Sequence, residues 1–343
     1  MKRRGFLFGV VLTLAIGGCG GGGGGGGDGG GNQDGGPAKW TYMVYMGADN
    51  NLSSAGLIDA NEMETVGSDA NLHIVLQAEF STRFTDFSGT DYQGETMRVR
   101  VTRDNDAQKP SLDGSTSIGN VDMAAPATLT SFIQWAAATY PAEHYALVIW
   151  DHGAGWKARP LLKGAVQDET SGSFMSLPDL AGAVADAGVT FDVVNFDACL
   201  MAMYEVAYEF SGLTSYMTFS EETEPGEGDP YDTILADLRA MPTMGAAQLA
   251  STIVTRYIQF YQTGGRAEKV TKSAVDMTKV AALDAAVQGL SNAIVTDWAT
   301  VSGAVLGAQA NSQCYEFPMN LDLYDFASRI DANLAAGSTK TAA

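Results

Sequence analysis

An Asp-His-Gly and an Asp-Ala-Cys, each closing a short apolar run, are the groups in this chain whose types and spacing could do chemistry. The first run is Tyr145-Ala-Leu-Val-Ile-Trp-Asp-His152-Gly153, and the second is Phe191-Asp-Val-Val-Asn-Phe-Asp197-Ala-Cys199. A thiol beside an imidazole can attack a carbonyl carbon. The base takes the thiol proton, a thioester forms, and the imidazolium returns the proton to the leaving amine. Taken alone, a Cys after an apolar run reads as a small buried hydrophobe; a His at the end of a similar run turns the reading toward a nucleophile. The other histidines compete poorly. His73 lies within the strand-like Leu72–Leu76 and reads as a sheet residue, and His144 precedes its strand, at the opposite end of the sheet.

Both runs are rich in Val, Ile and aromatics and stop in polar residues, which is how a buried parallel strand reads. Side by side, they would deliver the two groups to the crevice beyond the carboxyl ends of the strands, where open α/β sheets collect their working groups. The rest of the chain agrees. Strand-like Thr41–Met46 and Leu72–Glu79 flank an amphipathic stretch, Ala55–Val66, as a βαβ unit. Thr96–Arg103 alternates and reads as a small antiparallel ribbon. Helical patterns over Thr128–Tyr140 and Leu177–Ala187 feed the two chemical strands, the latter with Ser176 as N-cap and Pro178 in the first turn. Ser215–Ser220 and Ser273–Met277 complete a sheet of about six strands. Met203, Val206, Ala207 and Phe210 recur at helical spacing, so a helix is expected to begin almost at the thiol. Leu249, Ile253, Tyr257 and Phe260 mark a further helix, as do Leu283, Val287, Leu290 and Ile294. The fold class is α/β, with a mainly parallel sheet covered on both faces.

The order His then Cys, at this distance and on a small-Cys step, matches the local pattern of caspases, with Asp197 where those carry Gln. The chain resembles the clostripain-like (C11) cysteine peptidases, of caspase-like three-layer α/β/α fold. The likeness rests on Trp40-Thr-Tyr-Met-Val-Tyr-Met-Gly-Ala-Asp-Asn-Asn51, Val148-Ile-Trp-Asp-His-Gly-Ala-Gly-Trp156, Val194-Asn-Phe-Asp-Ala-Cys-Leu-Met201 and Ser220-Glu-Glu-Thr-Glu-Pro-Gly-Glu-Gly228.

That resemblance implies a catalytic pair of Cys199 and His152. The expectation from the helical pattern is a thiolate stabilised by a helix N-terminus and a nearby imidazolium. The resemblance puts the Gly153 amide in the oxyanion hole, with the Cys199 amide as partner. It makes Asp197 the residue that recognises a basic P1 side chain, Arg or Lys; a helix cap is the other reading of Asp197. Thr223 is expected to wall the pocket. The loop Glu221–Asp229 carries five carboxylates, Glu221, Glu222, Glu224, Glu227 and Asp229, which could draw in cationic peptides or hold calcium, used by several relatives. No EF-hand spacing occurs, and no cofactor is required for the chemistry itself. Relatives commonly carry an aromatic where this chain has Asp229. Self-cleavage between His152 and Cys199 has candidate positions at Lys157, Arg159 and Lys163. The family's domain tends to continue past the equivalent of Tyr324-Asp-Phe-Ala327, so residues 39–343 read as one peptidase domain, C-terminally shortened.

The N-terminus supplies the address. Lys2, Arg3 and Arg4 precede an apolar run from Phe6 to Ile16 that is too short to span a bilayer, and Gly17-Gly18-Cys19 resembles a bacterial lipoprotein cleavage site. Residues 1–18 are then a signal peptide, with Cys19 as the lipidated first residue; a plain signal peptide is the other reading, and the twin-arginine route is open too. Thirteen of the seventeen residues from Gly20 to Gly36 are glycine, a flexible tether reaching roughly 20–25 Å. The localisation expected is the bacterial cell envelope, lipid-anchored at the outer membrane or cell surface.

At 343 residues and 45% apolar content the chain can bury a sizeable core. With Lys2, Arg3 and Arg4 removed from its 20 basic residues, 17 remain against 40 acidic ones, a formal −23. Such a surface repels phosphate backbones and excludes nucleic acid as a partner class. Cys314 is expected to be a free, buried thiol. No phosphate loop, His-Glu-x-x-His helix or dinucleotide fingerprint occurs. The reading is a membrane-tethered endopeptidase cutting peptides or proteins after Arg or Lys. The alternative is a catalytically silent surface lipoprotein that uses the same fold as a binding module.

Overall fold

Five parallel strands form the centre of the molecule, and the alternation of inward apolar residues on each of them dictates what packs on either face. The computed structural model describes residues 37–83, 94–106, 109–156, 164–263, 269–334 and 337–343. In chain order these form β1 (Ala38–Ala48), α1 (Ser53–Val66), β2 (Leu72–Phe80), β3 (Thr96–Arg100), β4 (Thr116–Ser117), α2 (Pro126–Thr139) and β5 (Ala142–Trp150). There follow β6 (Val166–Asp168), β7 (Ser173–Met175), α3 (Leu177–Asp186), β8 (Phe191–Asp197), α4 (Tyr204–Glu209), β9 (Thr214–Phe219), α5 (Tyr231–Ala240) and α6 (Ala246–Gln262). The chain closes with β10 (Ser273–Asp276), α7 (Val280–Asn311), α8 (Leu323–Asn333) and α9 (Ser338–Ala342).

The main sheet runs β10-β9-β8-β5-β1-β2-β3-β4. Strands β9, β8, β5, β1 and β2 are parallel, and β10, β3 and β4 join as antiparallel edges. The ribbon read from Thr96–Arg103 is thus part of the sheet rather than separate from it. A separate hairpin, β6–β7, carries too few residues per strand for periodicity to register. Successive side chains of a strand face opposite ways. Met43, Tyr45, Leu147 and Ile149 therefore meet α2, α3 and α4 on one side, through Phe132, Ile133, Leu180 and Phe210. Tyr42, Val44, Met46 and Val148 meet α1, α5 and α6 on the other, through Leu57, Ile234, Leu249 and Ile253. This is the expected three-layer arrangement.

Strand order reverses at β1. The chain passes from β1 outward to β2, then returns through α2 to lay β5 on the other side of β1, and β8 and β9 follow in that direction. The carboxyl ends of β1, β5 and β8 therefore border a topological switch point, the crevice where such sheets bind ligands.

Three expectations need correction. The helix after Cys199 does not begin at the thiol: α4 starts at Tyr204, because Leu200 takes a left-handed φ of 64° that a helix cannot propagate. Cys314 is exposed rather than buried, paired with Leu321 in an isolated bridge between α7 and α8, away from both faces of the sheet. The helix marked by Leu283, Val287, Leu290 and Ile294 is α7, but of those four Leu290 alone is buried and Leu283 is 40% exposed; the buried residues of α7 are Val280, Leu290, Val301, Val305 and Ala308. No described helix is long and apolar enough to cross a membrane.

Candidate functional site

Adjacent, parallel β5 and β8 pair Trp150 with Asp197, and the Asp151 amide donates to the Asp197 carbonyl at 3.3 Å. His152 and Cys199 each lie two residues beyond that matched pair. Strand register therefore delivers both to one cleft, of about 210 Å³, whose lining includes Leu52, His152, Asp197, Cys199, Glu224 and Gly228.

Asp151 organises the turn that carries His152. Buried, it accepts from the His152 amide, from Gln167 N at 2.6 Å and from Asn50 Nδ2 at 2.7 Å, so it fixes the backbone and leaves the ring free of it. The ring is held from β1's side of the switch point, where His152 Nε2 lies 2.7 Å from Asn51 Oδ1. An amide oxygen only accepts, so Nε2 carries the proton and Nδ1 is left as the basic nitrogen of the neutral ring. Asn51 went unassigned in the sequence because nothing chemical distinguishes it from Asn50 beside it. Asn51→Ala should lower kcat about 10- to 100-fold with little change in KM. A pH-rate profile and steady-state kinetics check this, and an unchanged kcat removes Asn51 from the site.

Gly153 packs on the backbone of Cys199. A Cβ there would fall 2.3 Å from the Cys199 carbonyl oxygen and 2.9 Å from the Cys199 nitrogen, contacts no side chain can make. The Gly153 and Cys199 peptide units thus share one patch of the cleft wall.

Cys199 Sγ accepts from the Glu224 amide at 3.2 Å. Burial pushes the thiol above its ordinary range; the Glu224 amide pulls it down, and the Glu224 and Asp197 carboxylates push it up again. Burial also depresses the His152 imidazole. Both directions work against a resting ion pair, and the helix N-terminus expected to stabilise a thiolate is not there, since α4 begins only at Tyr204. Alkylation of Cys199 by iodoacetamide, followed by peptide mapping to separate it from exposed Cys314, should accelerate steadily as pH rises past about 8. A plateau reached already at about pH 6 would mean a preformed thiolate.

Asp197 is buried but lines the cleft. Its Oδ2 accepts from Tyr231 Oη at 2.7 Å and from the Asp229 amide at 3.2 Å. Gly228 lies against it with φ 56°, and a Cβ there would be 2.9 Å from either carboxylate oxygen. Burial, with the Asp229 charge, lifts Asp197 to about 6, although Lys272 pulls the other way. Glu224 lines the cleft too, beside Asp197 and Asp151, and its Oε2 is buried without a hydrogen-bond partner among the described residues. Thr223 does not wall the cleft: it is exposed, because the loop turns Glu224 inward and the preceding residue outward. Asp229 is buried between Asn195 Nδ2 at 2.6 Å and Lys272 Nζ at 3.1 Å.

The loop carboxylates do not converge as a metal site, since Glu224 and Asp229 are committed to Lys272 and Glu221 accepts from Ser273 Oγ. A different group does converge. Asp49, Glu79 and Asp168 are buried, with ligand oxygens all within 4.8 Å of one another. Hard oxygen donors of this kind suit calcium, and each already accepts hydrogen bonds, from Thr170 N, from Thr96 and Asn120, and from Met123 N and Ser171 N respectively.

Burial raises Glu62 to about 8 and Glu79 to about 7, in addition to Asp197. A carboxyl whose folded pKa exceeds its unfolded value stabilises the fold below the unfolded pKa and loses that contribution as pH rises through the folded one. The Tm of the ligand-free protein should therefore fall between about pH 5 and pH 8, and a rising Tm over that window would contradict these environments.

Of the remaining expectations, His73 is a sheet residue held near 4 by burial and by Arg100, whose Nε donates to His73 Nδ1 at 3.2 Å. His144 lies near the amino end of β5, stacked on Trp40 and 3.0 Å from Asp192. Cys199 and Cys314 are both free. Lys157, Arg159, Lys163 and Cys19 lie outside the described residues.

Comparison with known proteins agrees with this geometry. A family model described as the Clostripain family, peptidase C11, matches residues 44–341. Clostripain of Hathewaya histolytica is 30% identical over 224 residues, covering 59% of this chain and 42% of that protein. The chain thus spans about two-fifths of the length of that curated relative. Among solved structures it is similar to a secreted C11 cysteine protease from Bacteroides thetaiotaomicron in complex with an irreversible peptide inhibitor, at 26% identity and TM-score 0.58, over 75% of this chain and 72% of that one. An inactive zymogen C11 protease from Parabacteroides distasonis shares the fold, at 24% identity and TM-score 0.61, over 89% of this chain and 80% of that one.

Proposed function

The chain belongs to the clostripain family, and from that premise we propose that it is a cysteine endopeptidase cutting peptide bonds after Arg or Lys. The observation that carries the reading is the matched register of β5 and β8, which brings an imidazole and a thiol to one cleft lined also by Asp151, Asp197 and Glu224. His152 acts as general base while Cys199 Sγ attacks the scissile carbonyl carbon. The Gly153 and Cys199 amides donate to the developing oxyanion. The imidazolium then protonates the leaving amine, and water, deprotonated by the same ring, hydrolyses the thioester. Asp197 and the unpartnered Glu224 Oε2 take the cationic P1 head group, which satisfies buried acceptors that water reaches poorly.

The secreted relative from Bacteroides thetaiotaomicron and the leader-like first eighteen residues support an envelope location, with Cys19 as lipid anchor. Calcium, where it acts, would be held by Asp49, Glu79 and Asp168, remote in role from bond cleavage. Self-cleavage at Lys157, Arg159 or Lys163 would follow from the same specificity.

The test is hydrolysis by the purified chain of peptide reporters carrying Arg, Lys, Asn or Asp at P1, with and without added calcium. Cleavage after Arg and Lys alone supports the proposal. Cleavage after Asn or Asp overturns the pocket assignment, and silence from folded protein on every reporter favours the binding module.

A further inference from the structure

Lys272 is buried where lysine is least at home. It immediately precedes the edge strand β10, a position from which lysine side chains ordinarily reach into water, yet its side chain is 0% exposed. Its ammonium donates to the Phe196 carbonyl at 2.9 Å and to Glu224 Oε1 at 2.9 Å, lies 3.1 Å from Asp229 Oδ1, and stands 4.8 Å over the Tyr257 ring. Each contact is one link from the cleft. Phe196 is the residue before Asp197, the Asp229 amide donates to Asp197 Oδ2, and the Glu224 amide donates to Cys199 Sγ.

Carboxyls outnumber the ammonium around it. Asp197, Glu224 and Asp229 are three carboxyls about one ammonium, and α1 adds Asp59 and Glu62 to the field that Asp197 feels. Cys199, Tyr42 of β1, Tyr231 of α5 and Tyr257 and Tyr261 of α6 are the other titratable groups whose surroundings include Asp197. Buried acceptors remain without partners at Glu224 Oε2 and Asp59 Oδ1. The cluster thus holds more carboxyls than its one ammonium can pair, and burial favours their neutral forms; a second cation arriving from outside would favour the ionised ones.

We propose that Lys272 is the positioning residue of the P1 pocket: from behind the cleft wall its ammonium holds Glu224 and Asp229 in place and sets the charge that Asp197 presents to a basic side chain. This rests on reading the cleft as a basic P1 site. The ammonium is sealed from the cleft by the carboxylates it binds, so a P1 guanidinium or ammonium on the open side meets carboxylate first, and the two cations are bridged rather than opposed.

The test is steady-state kinetics of the full chain and two variants, Lys272→Met and Lys272→Met with Asp229→Asn, on Arg, Lys and neutral P1 reporters between about pH 5 and pH 8. Lys272→Met should raise KM for the Arg reporter at least about tenfold at mildly acidic pH while kcat stays within about threefold. The pH at which KM reaches its low plateau should move alkaline by about one unit or more, since Asp197 loses the charge that holds its carboxyl down. The double variant removes one carboxylate together with the ammonium and should return the KM profile toward that of the unsubstituted protein. A folded Lys272→Met protein with an unchanged KM profile overturns the proposal, as does a loss confined to kcat. If neither variant folds, Lys272 is a core ion pair only and the proposal fails. Were the unsubstituted chain to show no preference for basic over neutral P1, it is the P1 reading that fails, a result distinct from these.

Discussion

Cys199→Ala is expected to abolish hydrolysis of every reporter, a loss of at least about 10⁴-fold in kcat, while leaving the fold intact. The size follows from chemistry. Without the sulfur there is no covalent intermediate, and the Gly153 and Cys199 amides can then only polarise a carbonyl that water must attack unaided. The small structural cost follows from the site. The side chain is half-buried, and the bonds it loses are the acceptance from the Glu224 amide at 3.2 Å and a long donation to the Glu224 carbonyl at 3.8 Å, together worth about 1 kcal/mol and a Tm change of no more than about 4 °C. Activity of purified protein on an Arg reporter, beside a thermal melt, measures both. Persistent turnover in folded Cys199→Ala protein would end the thiol mechanism.

Asp197→Asn should lower kcat/KM for Arg and Lys reporters about 30- to 1,000-fold, the equivalent of roughly 2–4 kcal/mol for a desolvated charge pair deprived of one partner. Asn keeps the shape and can still accept from Tyr231 Oη, so the fold should survive. The pH dependence gives a second signature. Burial and Asp229 hold the Asp197 carboxyl near 6 in the empty cleft, and only its ionised form pairs with a cation. KM for an Arg reporter should therefore fall as pH rises through about 6 in the unsubstituted protein, and that inflection should be lost in Asp197→Asn. A preference for Arg that survives the substitution unchanged would place the recognition elsewhere, with Glu224 the next carboxylate on the cleft.

Much of this was legible before any coordinates. Apolar runs closed by polar residues, separated by stretches of helical period, specify an α/β sheet because burial on both faces demands continuous apolar strands and their connections demand amphipathic helices. The same local patterns put His152 and Cys199 at strand ends. Local pattern failed where the backbone or a distant partner had the deciding vote. Periodicity through Met203 and Phe210 is genuine, but a left-handed Leu200 delays the helix and removes the dipole that an acidic thiol would have needed. By sequence the pocket wall falls to Thr223 and Glu224 is one of five loop carboxylates, and only the course of the loop turns Thr223 out and Glu224 in.

What the sequence determined by itself is the class of fold and the two reactive groups, since both are written in neighbouring residues. What the tertiary structure decided is everything that depends on pairs far apart in the chain. The Asn51 contact to the His152 ring joins residues 101 positions apart. The Lys272 contact to Phe196 joins residues 76 apart, and neither partner's own neighbours announce it. Ionisation belongs with these: a carboxyl or thiol takes its working pKa from burial and from charges brought to it by folding, and a linear sequence states neither.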